Sequence, residues 1–153
     1  MEVVIAADHR GFELKEKLVP FLESLGHMVI DVGNAELNPD DDYPDFVFKL
    51  VQELHTNDQA LGIVCCASGI GISIAANRFA HIRCGLCMNE KQTQFARRDD
   101  DINVLALPAE YVDEILAEKM VTIFLKTPFN TNPRYLRRLQ KLEAYADNTN
   151  RSR

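Results

Sequence analysis

A three-layer α/β/α sandwich is the fold this sequence predicts, and three observations carry it. Short apolar runs alternate with helix-spaced stretches from end to end, the central run 60–66 is apolar without alternation, and small residues follow several strands. Alternation of this kind builds a parallel sheet through right-handed crossovers, with helices on both faces.

Residues 2–8 form the first apolar run. Residues 13–25 carry helical spacing (Leu14, Leu18, Phe21, Leu22, Leu25) and stop at Gly26. A second strand over 28–32 ends at Gly33, and the acidic stretch 34–43, broken by Pro39, is a loop. Phe46, Leu50 and Leu54 stripe a helix over 45–55, and the third strand, 60–66, is buried on both faces. Helix 71–79, strand 82–87, helix 90–98 and strand 103–107 follow, then a helix over 111–125 that Pro128 closes. Pro133 opens a C-terminal helix over 134–145. The outcome is a Rossmann-like five-stranded parallel sheet in one domain, 1–146, with a polar tail over 147–153 and no internal repeat.

With 153 residues, 46% apolar and 26% charged, the chain is long enough to bury a core. A net charge of −6 gives no cationic field for nucleic acid or an anionic membrane surface. The uncharged stretch 61–76 is shorter than the roughly 20 residues of a membrane span, and Ser68, Gly69 and Gly71 divide it. Residues 1–5 show no signal-peptide pattern, so cytoplasm is the expected compartment. Cys65, Cys66, Cys84 and Cys87 are then expected as reduced thiols. Cys84-x-x-Cys87 lacks a second ligand pair, so no metal site is expected.

Open parallel sheets bind ligands at the carboxyl ends of their strands. Asp8-His9, the loop Cys66 to Gly71 and Met88-Asn89 fall at three such ends and are expected to converge. In the loop, small residues let backbone N–H groups approach an anion, while the following helix lends a partial positive charge. A G-x-G alone is weak evidence, because a tight strand-helix turn with no ligand uses the same residues. A thiol at such a turn can have its pKa lowered toward neutrality, so Cys66 is either a base or an inert core thiol, while Cys65 faces the other side of the strand.

The run Cys66-Ala67-Ser68-Gly69-Ile70-Gly71-Ile72-Ser73-Ile74-Ala75-Ala76-Asn77-Arg78 closely resembles the type B ribose-5-phosphate isomerases, a family shared with galactose-6-phosphate and allose-6-phosphate isomerases. Further matches are Ala7-Asp8-His9-Arg10-Gly11-Phe12, Tyr43-Pro44-Asp45, Asn103-Val104-Leu105-Ala106 and Thr127-Pro128-Phe129, which extend the likeness over nearly the whole chain. The resemblance implies aldose–ketose isomerisation of ribose 5-phosphate through an enediolate, a step of the non-oxidative pentose phosphate pathway, without cofactor or metal. Cys66 is the implied base, and Ser68 with the N–H groups of residues 68–71 (Ser68, Gly69, Ile70, Gly71), beside Ala67, is the implied oxyanion holder. Asp8 and His9 are implied to touch the sugar, and Arg134 and Arg138, four apart on one helix face, to grip the phosphate in the site of a neighbouring subunit. That implies a homodimer or homotetramer with a shared site. The Asn130–Pro133 link is one residue longer than usual, which leaves Arg137 as the other choice for the second arginine.

Two departures stand out. Asp99-Asp100 replaces the family's His-Asn, and that histidine is assigned to opening the furanose ring. Repulsion among Asp99, Asp100 and Asp101 can keep one of them protonated, so the expectation is that Asp99, or His9 alone, moves that proton. Glu110 stands where many relatives place a phosphate-side arginine. A hexose 6-phosphate substrate is the alternative within the family, and a non-catalytic phosphate or nucleotide binder the alternative outside it.

Overall fold

The computed structural model describes residues 1–150, with side chains as far as Tyr145. Five strands, β1 (Glu2–Ala7), β2 (Met28–Asp31), β3 (Leu61–Cys66), β4 (Cys84–Leu86) and β5 (Val104–Pro108), pair in parallel in the order β2-β1-β3-β5-β4. Six helices connect and flank them: α1 (Phe12–Ser24), α2 (Tyr43–Thr56), α3 (Ile70–Ala76), α4 (Glu90–Asp100), α5 (Glu114–Lys126) and α6 (Pro133–Asn150). Of the tail expected over 147–153, the side chains and all of 151–153 lie outside the described residues.

Successive strand residues face opposite sides, and the core divides accordingly. Val3, Ile5, Ala7, Ile63 and Cys65 pack under α1 and α5 with Leu18, Leu22, Met120 and Phe124. Val4, Ala6, Val64 and Cys66 pack under α2 and α3 with Val47, Leu50 and Ile72. The two adjacent cysteines therefore belong to different layers, as the alternation predicts.

Several boundaries shift for local reasons. β4 is shorter than expected because it is an edge strand paired only with β5, and its pairing starts at Cys84 opposite Val104. Asn77 ends α3 and aligns β4 at once, donating to the Cys84 carbonyl at 2.9 Å and accepting the Cys84 N–H at 2.8 Å. α5 starts at Glu114 because Asp113 caps it, accepting the Leu116 N–H at 2.8 Å. Cys87 lies one residue beyond β4 and not inside it.

Two glycines test what the fold requires. A Cβ on Gly11 would collide with the Cys65 carbonyl, whereas Gly26, at φ 81°, faces open space. Gly11→Ala is expected to cost about 3 kcal/mol or more in urea unfolding. Gly26→Ala is expected to cost about 1 kcal/mol, from its left-handed backbone alone. Equal losses would mean that the close approach at Gly11 is not a constraint.

Candidate active site

β1 and β3 are adjacent at the middle of the sheet, and the chain leaves them toward opposite edges, so a crevice opens at their carboxyl ends. Ala7 is in register with Cys65, which sets the following residues, Asp8 and Cys66, side by side. The Cys66 thiol donates to Asp8 Oδ2 at 2.9 Å. Both residues are buried, Asp8 at 4% and Cys66 at 7% exposure. The other Asp8 oxygen accepts the N–H groups of Arg10 and Gly11 at 3.0 and 2.9 Å, which fixes the carboxylate against the thiol.

The thiol's protonation corrects the sequence expectation. Burial, followed by the hydrogen bond to Asp8 and its charge, pushes Cys66 up to about 12, not down toward neutrality. The backbone N–H groups of Ala67 and Gly69 act the other way, aimed at the sulfur, but do not prevail. α3 has only seven residues, so its dipole is short and these individual hydrogen bonds matter more. Cys65, enclosed on the other face, is also raised by burial.

The loop itself is tightly specified. Gly69 takes φ 71°, and a Cβ there would strike Leu86. Of the four N–H groups expected to face an enediolate, that of Ile70 donates to Ser68 Oγ at 3.3 Å, and that of Gly69 is aimed at Cys66. Ser68 Oγ accepts, so its own hydrogen stays available for an oxyanion. Tyr43, quoted in the sequence only as part of a motif, closes one wall: a Cβ on Gly71 would lie 2.9 Å from its ring and 3.1 Å from its hydroxyl.

His9 is held from the β2–α2 loop. Asp41 Oδ1 accepts the His9 backbone N–H at 2.9 Å and lies 2.8 Å from Nδ1. Asp41 raises the His9 pKa above its ordinary 6.5, chiefly through that hydrogen bond. Next to it, Glu110 forms an ion pair with Arg10, and its N–H donates to the Ala67 carbonyl at 3.0 Å, so this carboxylate sits on the rim of the loop.

The remaining predicted residues are elsewhere. α4 runs antiparallel to the sheet, so Asp99 and Asp100 at its end lie beside the amino end of β5, away from Cys66. α6 packs by α4 and the β4 edge, where Arg83 lies 3.5 Å from Glu143 and Arg138 stacks 5.8 Å from the Tyr135 ring. Arg134, Arg137 and Arg138 are exposed there. Met88 and Asn89 are also at carboxyl ends, but β5 stands between β4 and β3. Of the three strand ends expected to converge, Asp8-His9 and the loop Cys66, Ala67, Ser68, Gly69, Ile70 and Gly71 do so and Met88-Asn89 does not, while Asp99, Asp100, Arg134 and Arg138 lie away from Cys66 of the same chain.

Asp99 is also not the protonated acid that repulsion suggested. Arg98 donates to both of its oxygens at 2.6 and 2.9 Å and holds its pKa below the ordinary carboxylate value. Asp100 is the one pushed up, by partial desolvation and the Asp99 charge, while Asp101 is bound by Arg83 and Arg97. Among the described residues no three His, Cys, Asp or Glu side chains are grouped as a metal ion requires, and no helix is long and apolar enough to cross a membrane.

Residues 3–142 match the family model described as Ribose/Galactose Isomerase. The ribose-5-phosphate isomerase B of Mycolicibacterium paratuberculosis is 34% identical over 145 residues, 95% of this chain and 91% of that protein. A crystal structure of a ribose 5-phosphate isomerase from Thermotoga maritima superposes with TM-score 0.89 at 39% identity, covering 94% of this chain and 97% of its own. The ribose-5-phosphate isomerase B of Mycoplasma genitalium, solved with bound ribulose 5-phosphate, gives TM-score 0.91 at 34% identity, covering 95% and 96%.

The Asp8 charge and burial together keep Cys66 protonated, so removing the charge exposes its part. In a Cys65→Ala background, Asp8→Asn is expected to make alkylation of Cys66 by iodoacetamide several times faster at neutral pH, read by peptide mass spectrometry. An unchanged rate would show that burial alone sets the thiol.

Proposed function

The chain belongs to the ribose/galactose isomerase family, and on that premise we propose that it interconverts ribose 5-phosphate and ribulose 5-phosphate through an enediolate. One observation carries the reading: a buried thiol 2.9 Å from a buried carboxylate, at the foot of a loop whose glycines pack closely against Leu86 and Tyr43.

In the open-chain aldose, Cys66 takes the proton from C2 and the electron pair moves onto the carbonyl oxygen. The Cys66 thiol returns that proton to C1 as the C2 hydroxyl gives its proton to O1, and the C2 carbonyl of the ketose forms. Hydrogen only moves between neighbouring carbons, so no redox partner enters. Sugar hydroxyls that donate to Asp8 disperse the charge that holds the thiol protonated, while the Ala67 and Gly69 N–H groups continue to favour thiolate. In this reading the Ser68 hydroxyl and the N–H groups of Ser68 and Gly71 receive the oxyanion.

A second copy of the chain completes this site. Arg134 and Arg138 stand on α6 beside α4, away from Cys66 of their own chain, and Leu136, Leu142 and Tyr145 leave an exposed apolar component on the same helix. A neighbouring α6 therefore supplies the phosphate cations, with Asp99 and Asp100 arriving beside them. This makes the protein a homo-oligomer with shared sites, placed in pentose phosphate metabolism in the cytoplasm.

Metal-stripped protein is expected to form ketose from ribose 5-phosphate faster than from allose 6-phosphate or galactose 6-phosphate; turnover of none of the three sinks the proposal. Cys66→Ala is expected to lower kcat about 10²–10⁴-fold, and Cys65→Ala to retain most of it. Co-expressed Cys66→Ala and Arg138→Ala chains should regain roughly a quarter of wild-type activity by statistical mixing. No gain over either variant alone would mean that each chain carries its own complete site.

A further inference from the structure

Arg10, in the turn after β1, and Glu110, in the turn after β5, form an ion pair. β3 lies between those two strands, so the pair passes over the end of β3, where the Cys66–Gly71 loop begins. Resting on the isomerase reading above, we propose that this pair is an anion latch. Arg10 is a ligand of the substrate phosphate from the chain that supplies the thiol, and Glu110 occupies it until a phosphate dianion takes the carboxylate's place.

Both residues are tied to the site through their backbones. The Arg10 N–H donates to Asp8 Oδ1 at 3.0 Å, on the carboxylate whose other oxygen accepts the Cys66 thiol. On the far side of β3, the N–H groups of Ala109 and Glu110 donate to the Cys66 and Ala67 carbonyls at 2.8 and 3.0 Å. Each end of the pair is therefore one hydrogen bond away from a residue beside the sulfur. The backbones are fixed, and an exchange of partners falls to the two side chains.

The side chains are lightly held. Their contact joins one guanidinium nitrogen, Nη2, to one carboxylate oxygen, and they are 55% and 46% exposed. Water competes for both partners of such a pair, so breaking it costs the fold little. Among the described residues no other polar contact engages Arg10 Nε or Nη1, which leaves most of its donors unused. A phosphate dianion carries more charge than a carboxylate and takes two parallel N–H groups from one guanidinium. Exchanging Glu110 for the dianion thus gains a hydrogen bond at Arg10, while the released carboxylate is already half in water.

A neighbouring ion pair supplies the comparison. Lys17, further along α1, lies 3.1 Å from Glu114 at the start of α5, and the two are exposed to a similar degree. That pair clamps helix to helix, whereas Arg10–Glu110 joins the two turns that hold the ends of the loop. A purely structural clamp makes the two carboxylates equivalent in their effect on binding; a latch makes them different.

The test titrates inorganic phosphate, and separately measures ribose 5-phosphate kinetics, in wild type, Glu110→Gln, Arg10→Gln and the double variant. By ¹⁵N NMR, phosphate should shift the Arg10 Nε–H signal, identified by its loss in Arg10→Gln. It should bind several times more tightly to Glu110→Gln and several times more weakly to Arg10→Gln. KM for ribose 5-phosphate should follow the same order, with a larger change in KM than in kcat. In the Arg10→Gln background, Glu110→Gln should change either constant less than about twofold, since no cation is left to release. Glu114→Gln should leave both unchanged. Wild-type phosphate and substrate binding in Arg10→Gln, independent effects of the two substitutions, or an equal response to Glu114→Gln would each overturn the latch. Absence of turnover in wild type would instead defeat the isomerase reading, and the latch would then stand or fall on the phosphate titrations.

Discussion

At Gly11 the chain passes so close to the Cys65 carbonyl that a side chain there would collide, and the same turn gives its N–H to Asp8. That approach fixes the end of β1 against the end of β3 and keeps Asp8 within 2.9 Å of the Cys66 thiol. The crevice, the glycine loop and the His9 contacts are all built outward from this junction. Because β1 and β3 are central strands buried on both faces, the junction is anchored in the stiffest part of the molecule.

The junction creates a chemical tension. A carboxylate beside a buried thiol raises the cost of thiolate, yet the proposed reaction needs a base at that sulfur. The Ala67 and Gly69 N–H groups relieve part of the cost in advance, and substrate hydroxyls on Asp8 are the proposed source of the rest. In that proposal the thiol stays unreactive until a polyol binds. This suits a nucleophilic side chain that must avoid side reactions.

Periodicity was enough for the fold: the striping of Leu14, Leu18 and Leu22 and the unbroken apolar run into Cys66 each correspond to an observed core face. The strand-end rule was enough to bring Asp8 to Cys66. What stayed hidden depends on three-dimensional neighbours. Asp41 looked like one member of an acidic run, because nothing local reveals that the β2–α2 loop folds back onto His9. The raised Cys66 pKa is not legible in the sequence, because a helix N-terminus is visible there whereas desolvation and a carboxylate 58 residues away are not. The resemblance assigns Arg138 to the site of a neighbouring subunit and Asp99 to the sugar ring, and within one chain the direction of α4 keeps Asp99 apart from Cys66.

The central claim is that the sugar phosphate lies in the β1–β3 crevice with its reacting carbons at Cys66 and its phosphate on a neighbouring α6. A crystal structure of the protein with ribulose 5-phosphate tests it most directly. The expected result has C1 and C2 in van der Waals contact with the Cys66 sulfur, an oxygen on Ser68, and the phosphate between Arg134 and Arg138 of a second copy. A sugar bound away from Cys66, or a phosphate held entirely by the chain that supplies the thiol, would contradict it.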